Sequence, residues 1–519
     1  MILEGRRHEG DLALDADVVV VGSGASGAVA ARILAREGHD VVVVEEGGNV
    51  PPERYADFRP TESFRHMYRD AGTTAAIGIG DTPLISIMAG RTVGGSSTLT
   101  GGVIFRIPEA VLQTWVRDHG LHELSPRELE PAYHDVEKEL SVEEVPERMR
   151  SRSTLLFDQG ARKLGFSLHS MRRNTRGCRG SSRCNFGCPH RAKLSVDLTY
   201  LPRAMADGAR IVSDCRIDRI RIEGERAVGV EGRLLDENLR PRGRVTIRAA
   251  QVILAGGALS TPLLLQRAGV GRFTRQVGRH LSLHPAARVA ALFDEDVCGW
   301  KGAMQSAYSD DFQHEGLTLN SIYPPPNIIT AMFPGFGPTH AAWARRMRQV
   351  ATFGLMVHDE GGGRIYRLPG GRALYTYRMA PRDKVRMIRG VELLARAFFE
   401  AGAKEVLLPV FGARALRGPD ELANLQSLPA RRFECVTFHP LGSARMGHDA
   451  EASVVRPTGE THEVRNLHVV DGSVFPTSIG VNSQLPIMAV ATLLSWRLAE
   501  RLRAGGRRGV PAADRVAAP

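Results

Sequence analysis

Apolar positions along the chain fall into short unbroken runs that end in glycine turns, with stretches at helical spacing between them. The first run, 18–21, enters the turn Gly22-Ser23-Gly24-Ala25-Ser26-Gly27. Alanine-rich residues 28–37 follow with the pattern of a tightly packed helix, and a second run, 41–44, ends at Glu45. Strand, helix and strand in that order predict a βαβ unit and an α/β fold. Residues 109–150 turn helical and charged. Two alternating runs between 210 and 248 read as strands joined by turns, and 251–255 as a buried strand leading through Gly256-Gly257 to a helix start at Ser260-Thr261-Pro262. Beyond it, 361–375 reads as a hairpin and 383–403 as an amphipathic helix. The apolar residues 487–502, after Pro486, predict a last helix running to about Arg503.

The turn carries Gly22, Gly24 and Gly27 in GxGxxG spacing. Such a turn bends tightly at its first glycine, lets the backbone approach a pyrophosphate at its second and packs helix against strand at its third, while an acid at the end of the next strand, here Glu45, reaches a ribose hydroxyl. Strand, helix, second strand and terminal acid together point to a dinucleotide, without separating NAD from FAD. Residues 90–106 are rich in glycine and hydroxyls, too polar for a core strand and too short of charge for a solvated linker, so a loop lying against a ligand is expected.

The 519 residues include 55 glycines, 43% hydrophobic and 24% charged residues, which excludes a disordered, collagenous or coiled-coil protein and allows two to four domains. The net charge of +11 is carried by arginine, since only six residues are lysine, and it is scattered rather than blocked, so no nucleic-acid role is expected. The amino terminus lacks the apolar core of a secretory signal and no stretch nears the roughly 20 apolar residues of a membrane span. A cytoplasmic protein that does not span a membrane is therefore expected. Of six cysteines, Cys178, Cys184 and Cys188 cluster, with five and three residues between them and Pro189-His190 after the last. In a cytoplasmic protein such a cluster points to metal ligands or redox groups before disulfides.

Several motifs in order resemble the glucose-methanol-choline (GMC) flavoprotein oxidoreductases over most of the chain. They are the βαβ unit, the loop from Gly90 to Ser97 (GRTVGGSS), the segment from Gly256 to Leu265 (GGALSTPLLL), VGRHLSLHP ending at Pro285, HPLGSARMG from His439, and VDGSVFP from Val470 leading to Asn482. Thr100 and His280 depart from the pattern, each standing where the family usually has Asn. The resemblance implies a Rossmann-type FAD-binding domain with an interleaved α+β substrate-binding domain. The implied boundaries are 13–107, 203–284 and 464–504 for the first, and 108–202 and 285–463 for the second. It further implies that Gly22, Gly24, Ser26, Gly27, Glu45, Arg91, Gly95, Ser96, Ser97, Ile217, Asp471, Gly472 and Asn482 bind FAD, Ile217 through its backbone at the adenine. The cysteine segment resembles that of iron-sulfur-containing FAD-dependent glucose dehydrogenase subunits, which implies a three-iron four-sulfur cluster on Cys178, Cys184 and Cys188. A zinc site completed by His190, or free thiols, are the open alternatives; a similar loop occurs in long-chain alcohol oxidases.

Flavin-dependent oxidation of an alcohol needs a base for the hydroxyl proton while hydride leaves carbon for flavin N5. The resemblance assigns the base to His439 and the orientation of the substrate oxygen to Asn482. The amino terminus of the last helix would present its positive end to the flavin edge that gains charge on reduction. The expected activity is oxidation of a small-molecule alcohol by a dehydrogenase that passes electrons to an acceptor protein. The alternatives are an oxygen-using alcohol or sterol oxidase, an FAD-containing lyase, an NAD-dependent enzyme, and a non-catalytic electron-transfer subunit. Residues 290–440 carry no charged motif that demands a sugar or a carboxylate, and the hairpin with HPLGSARMG inclines toward a hydrophobic alcohol.

Overall fold

The computed structural model describes residues 1–333 and 335–505. Two sheets organise it. The first has eight strands, in the order Ile2–Glu4, Arg210–Ser213, Val41–Val44, Leu12–Val21, Pro241–Leu254, Arg226–Leu235 and Cys215–Glu223, with Leu467–Val469 also paired to Pro241–Leu254. Val18 to Val20 and Val41 to Val43 are fully buried, as expected of parallel strands covered on both faces. The long strand Pro241–Leu254 joins two patterns: Val252 to Leu254 pair in parallel with Leu467–Val469, while Arg244 to Arg248 pair antiparallel with the meander. Helix Ala25–Arg36 follows the glycine turn and packs on helix Gln484–Ala504, so the carboxy terminus closes the amino-terminal unit.

The second sheet has eleven strands and forms its own core. Its centre is Cys435–Thr437, Ala286–Leu292 and Val350–Val357, covered by helices Arg152–Lys163 and Pro381–Glu400. Phe157 on the first of these helices stacks on Phe353 of the sheet at 3.7 Å. The hairpin expected at 361–375 is present as Gly362–Arg367 and Ala373–Arg378, at the sheet edge.

Three pieces lie elsewhere than the expected boundaries put them. Strands Ala75–Gly78 and Ile85–Ile87 belong to the second sheet, although 13–107 was assigned to the cofactor unit. Helices Glu109–His119 and Pro126–Glu139, assigned to the substrate unit, bury Trp115, Leu129, Tyr133 and Val136 in the core of the first sheet. Strand Ile2–Glu4 adds an edge to that sheet ahead of residue 13. A short apolar segment is compatible with any sheet edge or helix face of complementary shape, and its partner is set by long-range packing. Among the described residues no helix is long and apolar enough to cross a membrane.

Candidate active site

A cavity of about 880 Å³ runs between the two sheets, from Gly22 and Gly24 past His439 and Asn482 to Arg288 and Met332. At the glycine end Gly22 has φ +108°, and a Cβ there would run into the Ala255 carbonyl. Gly95 has φ +55°, and a Cβ on it would meet Gly24 Cα at 2.7 Å, so the two loops touch backbone to backbone. Ser23 ties this end together: its Oγ donates to Glu45 Oε2 (2.7 Å) and accepts from the Gly94 amide (3.0 Å). Glu45 also accepts from the backbone N–H of Ser23 and Gly47, and burial raises its pKa against those bonds. Asp471 is buried and accepts from Gly257 N, Thr261 Oγ1, and Ser473 N and Oγ. With four donors on its carboxylate, Asp471 locks two cavity-lining loops together and leaves its backbone and Gly472 to face a ligand.

In the cavity wall Asn482 Nδ2 lies 3.2 Å from His439 Nε2. Burial, reinforced by His284 and opposed by Asp359, pushes the His439 pKa down to about 3, so the imidazole is neutral near pH 7 with a lone pair to offer. The His284 ring lies 5.5 Å from that of His439, and its Nε2 accepts from the backbone N–H of Ile479 (3.1 Å) and Gly480 (3.2 Å), in the loop that leads to Asn482. Asp359 anchors this arrangement, accepting from Leu283 N, His284 N, Tyr377 Oη (2.6 Å) and Ser478 Oγ (2.6 Å). Asn482 Oδ1 and Gln484 Nε2 are buried without a hydrogen-bond partner, at the start of helix Gln484–Ala504. Thr100 Oγ1 donates to Gln484 Oε1, so the departure from Asn at this position is met by a hydrogen bond. His280 sits at φ +61°, a left-handed conformation that favours Asn, and is not in the cavity lining; the usual Asn there is explained by backbone geometry.

Of the expected site residues, Gly22, Gly24, Ser26, Glu45, Gly95, Ser96, Ser97, Ile217, His439, Asp471, Gly472 and Asn482 all line the cavity. Gly27 and Arg91 do not. Gly27 lies where a Cβ would strike the Gly22 carbonyl, so its role is helix packing, and Arg91 stands behind the lining within the electrostatic reach of Glu46. Ser23, Arg69, Gln484 and Arg288 were not singled out from the sequence. Ser23, inside the glycine motif, and Gln484, two residues after Asn482, had local signals, whereas Arg69 and Arg288 reach the cavity from parts of the chain that no motif marks.

The cysteine segment borders the cavity through Asn185 and Phe186. Cys178, Cys184 and Cys188 do not converge as a ligand set for a metal ion; among the described residues the one group that does is the exposed His169, Asp310 and Asp311. Arg173 Nη2 donates to Cys184 Sγ (3.1 Å), Lys193 Nζ donates to the Cys184 carbonyl (2.9 Å), and Cys178 packs by an apolar patch around Val103 and Met171. These contacts hold the loop against two buried cations, and all three thiols, none in a disulfide, act on the Arg173 guanidinium. Lys193 also donates to the Thr98 and Thr100 carbonyls, which ties the loop to the cavity wall.

The residues present fit FAD. The glycine cradle, which a Cβ would fill, lies at one end, and Glu45 and the bulged strand at Ile217 border the same space. The orphaned polar atoms of Asn482 and Gln484 lie at the middle, where a helix amino terminus opens on the cavity.

Comparison with known proteins agrees with this geometry. The GMC oxidoreductase amino-terminal pattern matches residues 16–286 and the carboxy-terminal pattern residues 372–491. An uncharacterised GMC-type oxidoreductase of Mycobacterium tuberculosis is 39% identical over 92% of this chain and 74% of its own length. A long-chain-alcohol oxidase of Arabidopsis thaliana is 27% identical over 94% of this chain and 68% of its own. The fold is that of Aspergillus oryzae formate oxidase, with TM-score 0.73, 16% identity and coverage of 96% of this chain and 100% of that one. It is shared with pyridoxine 4-oxidase from Mesorbium loti, with TM-score 0.68, 18% identity and coverage of 93% and 99%. The chain belongs to the GMC oxidoreductase family.

Proposed function

We propose that this chain is an FAD-dependent oxidoreductase that oxidises the CH–OH group of an alcohol. The observation that carries the reading is the His439 and Asn482 pair at the junction of a glycine-cradled cleft and an apolar pocket. Gly22, Gly24, Ser26, Gly95, Ser96, Ser97, Glu45 and Ile217, with the backbone of Asp471 and Gly472, hold the cofactor. Bound there, FAD supplies the two-electron acceptor that no side chain provides. Neutral His439 accepts the hydroxyl proton at Nε2, and Asn482 orients the substrate oxygen. Displacing the Asn482 amide from that lone pair as the alcohol enters exchanges one hydrogen bond for another, so it costs little.

An iron-sulfur relay is not part of this reading, because FAD with the His439 and Asn482 pair suffices for the two-electron step. The long-chain-alcohol oxidase relatives favour oxygen over a carrier protein as the acceptor, and a hydrophobic alcohol as the substrate. The test is anaerobic reduction of the bound flavin by an alcohol series, followed by its absorbance. Wild-type protein should bleach and His439→Ala should keep its flavin without bleaching. Equal bleaching in both would overturn the assignment.

A further inference from the structure

Strand Ala286–Leu292 places Arg288 at the far end of the cavity from the catalytic pair. Ala287, Val289 and Ala291 bury in the core of the second sheet, and Arg288 between them reaches the other face and lines the cavity. Ala286 is in register with Val436, so Arg288 stands across from Glu434. From Thr437 back to Glu434 is three residues of extended chain, about 10 Å, directed away from His439.

The guanidinium is poorly matched by the protein. Its Nη1 donates to the Met332 thioether sulfur at 3.1 Å and its Nη2 to the Met332 carbonyl at 3.2 Å. A guanidinium has five N–H donors, and a thioether is a weak acceptor. Among the described residues no carboxylate lies within 4.0 Å of it, whereas the half-buried Arg6, Arg69 and Arg386 each have one. The cavity that it lines also carries Ile328, Met332, Phe333 and Leu407, with Asn320 and Glu434 as polar members. Burial lowers the Arg288 pKa to about 10, against the raising effect of Glu434, and burial likewise raises the pKa of Glu434. The guanidinium therefore stays charged near pH 7 while its nearest acid is held toward its neutral form.

On the reading of the site given above, we infer that Arg288 anchors the far end of the substrate, and that the substrate is an alcohol whose chain ends in a carboxylate. An apolar channel between a proton acceptor and a buried cation accepts an ω-hydroxy acid of medium or long chain: the hydroxyl meets His439, the methylenes fill the channel, and the carboxylate takes the unused donors of Arg288 in a bidentate pair. Glu434 sets the selectivity, since it tolerates a second carboxylate only when protonated or displaced. The alternative role for Arg288 is to cap the short helix Pro326–Ala331 through the Met332 carbonyl.

The experiment compares ω-hydroxydodecanoate with dodecanol in the FAD-loaded protein, by calorimetric binding under anaerobic conditions and by the KM for flavin reduction. Wild-type protein should bind the hydroxy acid about tenfold or more tightly than the alkanol, the worth of one charge-assisted pair. Arg288→Gln should erase that ratio, Arg288→Lys should retain part of it, and Glu434→Gln should enlarge it. Equal affinity for the two compounds in wild-type protein, or a fall for both alike in Arg288→Gln, overturns the proposal and leaves the helix-capping role. Preferential binding without flavin reduction by either compound leaves the anchor standing and overturns the alcohol-oxidising reading instead.

Discussion

Asn482 and His439 stand 43 residues apart in the chain with Asn482 Nδ2 3.2 Å from His439 Nε2. His439 follows the strand Cys435–Thr437 of the second sheet, and Asn482 precedes the helix that closes the first. The pair is thus assembled where the two sheets meet, and its geometry depends on how the loop 478–482 is held.

Removing the imidazole should abolish proton acceptance without emptying the cofactor site. His439→Ala and His439→Gln are expected to slow alcohol-dependent flavin reduction by about 100-fold or more. Stopped-flow absorbance under anaerobic conditions measures this, and the flavin content of the purified variants checks that the fold survives.

Asp359 links Tyr377, Ser478 and the backbone at His284. Asp359→Asn offers one carbonyl oxygen in place of a carboxylate and buries an NH2 group among donors, so it should cost about 1–3 kcal/mol of stability. Because Ser478 starts the loop to Asn482, the variant should also lower the reduction rate, whereas Tyr377→Phe should cost only about 1 kcal/mol and leave the rate near wild type. Denaturant melts and stopped-flow traces separate the two effects.

His284, His439 and His468 each have a pKa pushed down to about 3 by burial, from an ordinary value of 6.5. The unfolded chain binds protons at these sites that the folded chain refuses, so stability is fully present above about pH 6.5 and is lost as pH falls toward 3. Tm is expected to drop steadily between pH 6.5 and 4. Replacing His468, which pairs with Gln251 away from the catalytic pair, by Gln should shallow that slope. A slope unchanged in His468→Gln would contradict its share.

The three clustered thiols make a compositional prediction. Protein purified without oxygen should hold flavin but no stoichiometric iron, and Cys178, Cys184 and Cys188 should each react with a thiol reagent after unfolding. Iron near three atoms per chain, with an EPR signal on oxidation, would restore the cluster.

The local parts of this molecule were legible in the sequence because their signals are short-range. The GxGxxG turn needs glycine at 22 for its positive φ and at 27 for helix packing, and valine runs bury on both faces wherever they are placed. The ordered motifs likewise marked His439, Asn482 and most of the cavity lining. What the sequence left open are relationships between distant segments: which sheet takes Ala75–Gly78, that the helices at 109–139 pack on the first core, that Ser23, Glu45 and Gly94 form one network, and that the cysteine loop lies against the buried Arg173 and Lys193. Arg288 is the clearest case. One arginine among many has no local mark of function, and its charge acquires meaning only where the fold sets it in the cavity wall with Met332 as its hydrogen-bond partner and no carboxylate within 4.0 Å among the described residues. The sequence by itself determined the cofactor turn and the reactive residue types, through local sterics and chemistry. The tertiary structure alone decided their partners, because burial and charge compensation are properties of neighbours that the chain brings from far away.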